Sequence, residues 1–271
     1  MQQKKSIFLS LTETLRPFTM AVLPFLILSF FLVSSRATED SGKAEARSST
    51  SKIAQLLDLS SPARKLSLSA KGHGLYGRAN LTFDASVRIA LKRMNLSIDH
   101  LELWTSEHPD SALQYLPYMP TAMQRNVAGT ALFIRESNGS IDEKTAWREA
   151  VALVHYSSKY GVPLTLATAV AQTESTFNPG AVSSKGAAGV MQVMWRIHNG
   201  LLESNGITGV ESLADPEKGV AAGCLLLSRY IKAYGSVQSA MNRYYGVYSP
   251  GYQNKIARNM QRIATHNANL P

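Results

Sequence analysis

The chain has 271 residues, 45% hydrophobic and 17% charged, which is enough to fold as one large domain or two small ones. Its formal charge of +9 favours anionic lipid or an acidic wall polymer, while the scatter of Lys and Arg, with no basic stripe and no recognition motif, argues against nucleic acid. Cys224 is the single cysteine, so no intrachain disulfide can form, and the isolated His155, His198 and Cys224 give no metal spacing.

Lys4, Lys5 and Arg16 precede Phe18–Val33, a run without charge, and Arg36, Glu39 and Asp40 follow it. This pattern predicts an export signal or a membrane anchor over residues 1–35, with its basic side in the cytoplasm. Val33-Ser34-Ser35 and Ser35-Arg36-Ala37 are acceptable cleavage sites. Pro17, Ser34 and Ser35 extend the uncharged stretch to a length that spans a bilayer, so an inner-membrane anchor with a periplasmic remainder is the expectation. Residues 36–52 are rich in Ser, Ala and charge and read as a flexible linker.

Residues 53–140 read as a mainly helical accessory region. Asp84 is placed to cap a helix through Val87, Ile89, Leu91 and Met94, and Thr121–Glu136 forms another, stopped by Ser137-Asn138-Gly139. No motif here carries chemistry. From residue 141 to the end the pattern is all-α. Asp142-Glu143 open a helix with a stripe of Ala146, Trp147, Ala150, Val151 and Val154. A further helix is expected to start at Val190-Met191-Gln192-Val193-Met194. Asp215-Pro216 open one that contains Gly223 and Cys224, and two more cover Val237–Tyr245 and Tyr252–Ile263.

The chemistry points to Glu174. Leu164, Ala167, Val170, Ala171 and Glu174 recur at helical spacing after Pro163, and Asn178-Pro179-Gly180 stops the run. Glu174 therefore falls on an apolar face in a last helical turn. Burial and the negative end of the helix dipole both favour its protonated form, which is what a general acid requires.

Three groups fall in order: Glu174-Ser175, Gly189-Val190-Met191-Gln192 and Ala240-Met241-Asn242-Arg243-Tyr244-Tyr245-Gly246. Around them lie Ser183–Gly189, rich in Gly and Ala, then Asp215-Pro216 before Gly223, and Gly251-Tyr252 before Ile256. The ordered set resembles the catalytic domain of the soluble-type (family 1) lytic transglycosylases, which have a goose-lysozyme-like, all-α fold. The resemblance covers roughly residues 142 to 260, about half the chain. It implies a peptidoglycan glycan strand as substrate, no cofactor, and Glu174 as the sole catalytic carboxyl. It further implies that Ser175 and Gln192 contact sugar acetamido or hydroxyl groups. Gly189 belongs to the same binding motif, Met191 and Tyr244 form cleft wall, and Tyr252 holds Glu174 by a hydrogen bond.

The chain departs from the family pattern at three places. Val190 stands for the usual Leu, Trp195 stands where a Pro is expected, and Tyr245 occupies the position of an Asn in the third motif. Trp195 and Tyr245 are candidates for altered sugar contacts.

The resemblance implies proton donation to the bond between N-acetylmuramic acid and N-acetylglucosamine, then closure of a 1,6-anhydro ring. Ordinary glycosidases need a second carboxyl at a defined separation. Here Glu203, Glu211, Asp215 and Glu217 are the later acids, in a loop or at a helix start where capping accounts for them. Two other readings stay open: a wall-binding or scaffold protein of a secretion or conjugation machine, and a lysozyme-type hydrolase on the same fold.

Overall fold

The structure, a computed structural model, describes Thr82 to Ala268. The apolar segment at 18–33, the linker at 36–52 and the first part of the 53–140 region lie outside the described residues. Among the described residues no helix is long and apolar enough to cross a membrane.

Helix α1 (Ala85–Arg93) starts at Asp84, whose carboxylate accepts from the Ser86 backbone N–H at 3.0 Å. Helix α2 (Ile98–Glu107) and a 3-10 segment (Ala112–Tyr118) lead to α3 (Thr121–Ser137). Helix α4 (Glu143–Tyr160) is capped by Asp142, which accepts from Thr145 N–H, and is closed by Gly161 at φ 68°, a left-handed value that glycine adopts without a Cβ penalty. Helix α5 (Leu164–Glu174) follows at once. Then come α6 (Trp195–Glu203), a 3-10 segment (Val210–Ala214), α7 (Pro216–Tyr234), α8 (Val237–Tyr245) and α9 (Pro250–Ala268).

Helix α4 is the axis of the molecule. Ala146, Trp147, Ala150, Val151, Leu153 and Val154 are buried on it, and it packs between α3 and α7. Helix α9 lies along α5, and α8 along α7. Those two pairings bring the third motif and Tyr252 to the end of the Glu174 helix.

One expectation is corrected here. The stretch Val190–Met194 is not the start of a helix. Residues Ala187–Ala188 (β1) pair antiparallel with Val193–Met194 (β2), Ala187 opposite Met194 and Ala188 opposite Val193, and α6 begins only at Trp195. The reason is local: Gly189 at φ 78° and Gln192 at φ 48° turn the chain in a sense no right-handed helix allows. The described residues before Ile141 pack into the same core as those after it. Helix α1 packs on α3 and α3 on α4, so one core runs from Val87 to Ile263.

One buried acid on α4 was not foreseen. Glu149 is fully buried with neither carboxylate oxygen hydrogen-bonded, and burial pushes its pKa well up, with Asp142 acting in the same direction and Arg148 against it. It is held as a neutral acid, because an unpaired buried carboxylate costs far more than its protonation.

Candidate active site

Leu166, Ala167, Val170 and Ala171 seat α5 in the core, and Glu174 is its last residue, half-buried. The Tyr252 hydroxyl donates to Glu174 Oε1 at 2.7 Å. Burial raises the pKa of Glu174 above the ordinary carboxylate value, and the Tyr252 hydrogen bond and the Lys255 charge oppose that rise without cancelling it. Lys255 is the only charged side chain among the described residues that acts on this carboxyl.

The helix stops at Glu174 because the next turn reverses hand. Thr176 at φ 52° and Phe177 at φ 61° are both left-handed, a conformation that costs of order 1–3 kcal/mol for each non-glycine residue. Phe177 offsets this by full burial, with its ring edge-on to Phe133 at 6.1 Å, and the Asn138 side-chain amide donates to the Thr176 carbonyl at 2.8 Å. The C-terminal end of α3 thus braces the turn that presents Glu174.

The Ser175 hydroxyl donates to the Val190 carbonyl at 2.7 Å and accepts from Asn178 N–H at 3.1 Å. In this arrangement it ties the end of α5 to the hairpin loop. Gly189 is where the approach of the second 3-10 segment leaves no space, since a Cβ there would run into the Leu213 carbonyl. Gln192 donates from Nε2 to the Ala181 carbonyl at 2.9 Å and the Gly189 carbonyl at 3.1 Å. Those two bonds use both N–H donors of the amide and fix its orientation.

Met191 differs from the cleft-wall role expected of it. Its side chain is fully buried, and it fills the notch at Gly223, where any Cβ would collide with it. Its carbonyl takes the Tyr244 hydroxyl at 2.7 Å, with Tyr244 half-buried. Tyr245 is 51% exposed, and its ring stacks on that of Tyr252 at 4.4 Å and 20°. Glu174, Tyr252, Tyr245, Tyr244, the Met191 carbonyl, Ser175 and Gln192 thus form one connected group.

Residues that the sequence reading missed sit on α9. Lys255 donates to the Thr173 carbonyl at 3.2 Å, and Asn259 Nδ2 donates to Thr173 Oγ1 at 2.8 Å. Together with Tyr252 they lie at i, i+3 and i+7, and that periodicity was the available signal. The later acids are occupied elsewhere. Asp215 caps α7 by accepting from Glu217 and Lys218 N–H, and Glu217 is buried against Ser111, Ala112 and Arg148. Glu203 ends α6 and Glu211 lies in the second 3-10 segment.

The stack on Tyr252 gives a direct expectation for Tyr245. An offset aromatic pair is worth about 0.5–1.5 kcal/mol beyond its burial. Tyr245→Ala should lower turnover of purified sacculi by roughly two- to tenfold through a looser hold on Glu174, with Tyr245→Phe close to wild type. Equal losses in the two variants would show that the hydroxyl, rather than the stack, matters.

Residues 153–265 match the family model described as "Transglycosylase SLT domain", a span that contains Glu174, Gln192, Tyr244, Tyr245 and Tyr252. Over this span the chain is similar to transglycosylase SLT domains. Outside that match lie α1–α3 and the first half of α4, although they share the SLT domain's core. A membrane-bound lytic murein transglycosylase C of Edwardsiella ictaluri is 41% identical over 96 residues, 34% of this chain and 27% of that protein. The proteins of the same name from Yersinia pestis and Yersinia pseudotuberculosis are 40% identical over the same length. The chain therefore spans about a quarter of the length of the curated relatives it matches. No solved structure matches the chain.

Proposed function

We propose that this protein is a peptidoglycan lytic transglycosylase in which Glu174 is both general acid and general base. The observation that carries the reading is a single half-buried carboxyl, raised in pKa and held by Tyr252, with no other acid acting on it. Protonated Glu174 donates to the glycosidic oxygen as the bond to the muramic acid C1 breaks. The resulting carboxylate then takes the proton of the muramic acid C6 hydroxyl as that oxygen attacks C1. One bond breaks, one forms, and Glu174 ends protonated, so no water is consumed.

The C6 hydroxyl needs no capture from solvent, and intramolecular attack of this kind has a very high effective molarity. The amide oxygen of Gln192 and the exposed face of Tyr245 are the contacts assigned to the sugars. Ser175, Gly189 and Met191 act by shaping the loop that carries Gln192.

Mass spectrometry of muropeptides released from sacculi tests the reaction. Anhydro ends, lighter by one water than hydrolysed ends and free of label after digestion in ¹⁸O water, are expected. Reducing ends that carry ¹⁸O would instead make the protein a hydrolase on the same scaffold, and no release at all would favour a wall-binding scaffold. The relatives are named as membrane-bound, and we read residues 18–33, preceded by Lys4, Lys5 and Arg16, as attaching this chain to the inner membrane with the matched region in the periplasm. N-terminal sequencing of the mature protein decides this, and a start at Arg36 or Thr38 would mean a cleaved signal.

A further inference from the structure

Beside the Tyr244 end of the site, α6, α7 and α8 assemble an aromatic and cationic group that the reaction above does not use. Tyr230 of α7 is at its centre. Its ring lies 6.4 Å from Tyr244 at 83°, 6.3 Å from Tyr234 at 60° and 6.3 Å from His198 at 66°. The Tyr230 hydroxyl is 3.4 Å from His198 Nε2. The Arg243 guanidinium sits 5.9 Å from the Tyr230 ring centroid. Tyr234 is 50% exposed, and Arg243 and Ile197 are exposed as well. The group is continuous with the catalytic centre, because Arg243 precedes Tyr244, whose hydroxyl holds the Met191 carbonyl.

Its charge is uncompensated. Arg243 forms no ion pair among the described residues; its charge lies over the Tyr230 ring and acts on His198. Arg243 and burial together lower the pKa of His198, and no carboxylate counteracts them. The charged or titratable groups acting on Tyr230 are Arg243 and Tyr234. A guanidinium laid on a tyrosine face keeps its fork of N–H donors directed outward, in the geometry that binds a carboxylate through two parallel hydrogen bonds. Tyrosine walls around it offer apolar contact to a peptide chain at little entropic cost.

We propose that the Tyr230–Tyr234–His198–Arg243 patch binds the peptide stem of the glycan strand, with Arg243 taking one of the stem's carboxylates. This rests on the transglycosylase reading for the nature of the strand, and it adds a selectivity that the Glu174 chemistry does not require. The enzyme then engages muramic acid residues that carry a stem more tightly than bare ones. The preference is electrostatic and weakens with added salt.

The test is a binding measurement that does not depend on turnover. The full chain is incubated with purified sacculi and, separately, with the same sacculi stripped of stems by a muramoyl-alanine amidase, and the bound fraction is titrated. Wild type should bind intact sacculi about tenfold more tightly than stripped ones. Arg243→Ala should remove that difference and leave binding to stripped glycan as it was, and Arg243→Lys should restore part of it. Arg243 is exposed, so these variants should fold. An equal loss on both substrates, or no loss on either, would overturn the proposal and return the patch to a sugar contact or to packing. Turnover followed in parallel separates the two readings. Stem-dependent binding without release of glycan would fault the lyase assignment alone.

Discussion

Glu174→Gln is expected to keep the fold and to lower sacculus turnover by roughly 10²–10⁴-fold, the usual worth of general acid–base catalysis. Glutamine preserves the shape and can still accept from the Tyr252 hydroxyl, which donates to Oε1 at 2.7 Å in the native protein. What it loses is the transferable proton. Stability should not fall with it. The folded-state pKa of Glu174 is raised by burial, so its ionised form is disfavoured in the native protein, and that group's contribution diminishes as pH rises through the folded pKa. A neutral side chain removes this loss, so the variant's melting temperature near neutral pH should equal or exceed that of wild type. The same sign governs the rate. The acid must be protonated at the first step, so kcat/KM falls as pH rises through the raised pKa of Glu174. Lys255 lowers that pKa, and Lys255→Ala should therefore carry the alkaline limb to higher pH. A folded Glu174→Gln protein that retains more than about a tenth of wild-type turnover would remove Glu174 from the mechanism.

What could be read from the sequence was local and periodic. The apolar spacing of Leu164, Ala167, Val170 and Ala171 placed Glu174 on an inward face, and Asp142, Asp84 and Asp215 announced helix starts that the structure contains. The misread stretch, Val190–Met194, has an apolar pattern that fits helix or strand equally. Only the left-handed backbone at Gly189 and Gln192 decides it, and a glutamine at positive φ leaves no trace in composition. Met191 was assigned to the cleft wall by the family resemblance alone. The space that buries it is the absent side chain of Gly223 on another helix, a contact that no local pattern encodes. The brace from Asn138 to Thr176 spans 38 residues, and Asn138 on its own reads as a helix stop. It ties the last helix before the SLT match's first helix to the turn that ends the Glu174 helix.

The other large expected effect concerns a contact between residues 67 and 69 positions apart in the chain. Arg148, on α4, donates from Nε to Glu217 Oε1 at 2.7 Å and from Nη2 to Asp215 Oδ2 at 2.7 Å. Its side chain is 12% exposed and that of Glu217 only 5%. Glu217 also accepts from the Ser111 hydroxyl at 2.5 Å and from Ala112 N–H at 2.6 Å. A single carboxylate thus joins α4, the first turn of α7 and the start of the 3-10 segment at Ala112. Arg148→Ala would leave Glu217 buried beside two hydrogen-bond donors but without its counter-charge, and removing one partner of a buried pair costs about 3–5 kcal/mol. The remaining donors to Glu217 place the expectation at about 3 kcal/mol, measured as the loss of unfolding free energy in urea. Asp215 carries part of this network, and its pKa is lowered by Arg148 and by its capping bonds against the opposing effect of burial. The stability it contributes is present above the unfolded carboxylate value and is lost as pH falls through the folded one, so the difference between wild type and Arg148→Ala should narrow in acid. Function should suffer as well, because α7 carries the Gly223 notch that seats Met191 and, through the Met191 carbonyl, Tyr244. Were Arg148→Ala to unfold within about 0.5 kcal/mol of wild type, the network would be no more than a surface ion pair in worth, and the coupling of the N-terminal helices to the site would have to rest on the contacts of Asn138 and Phe133.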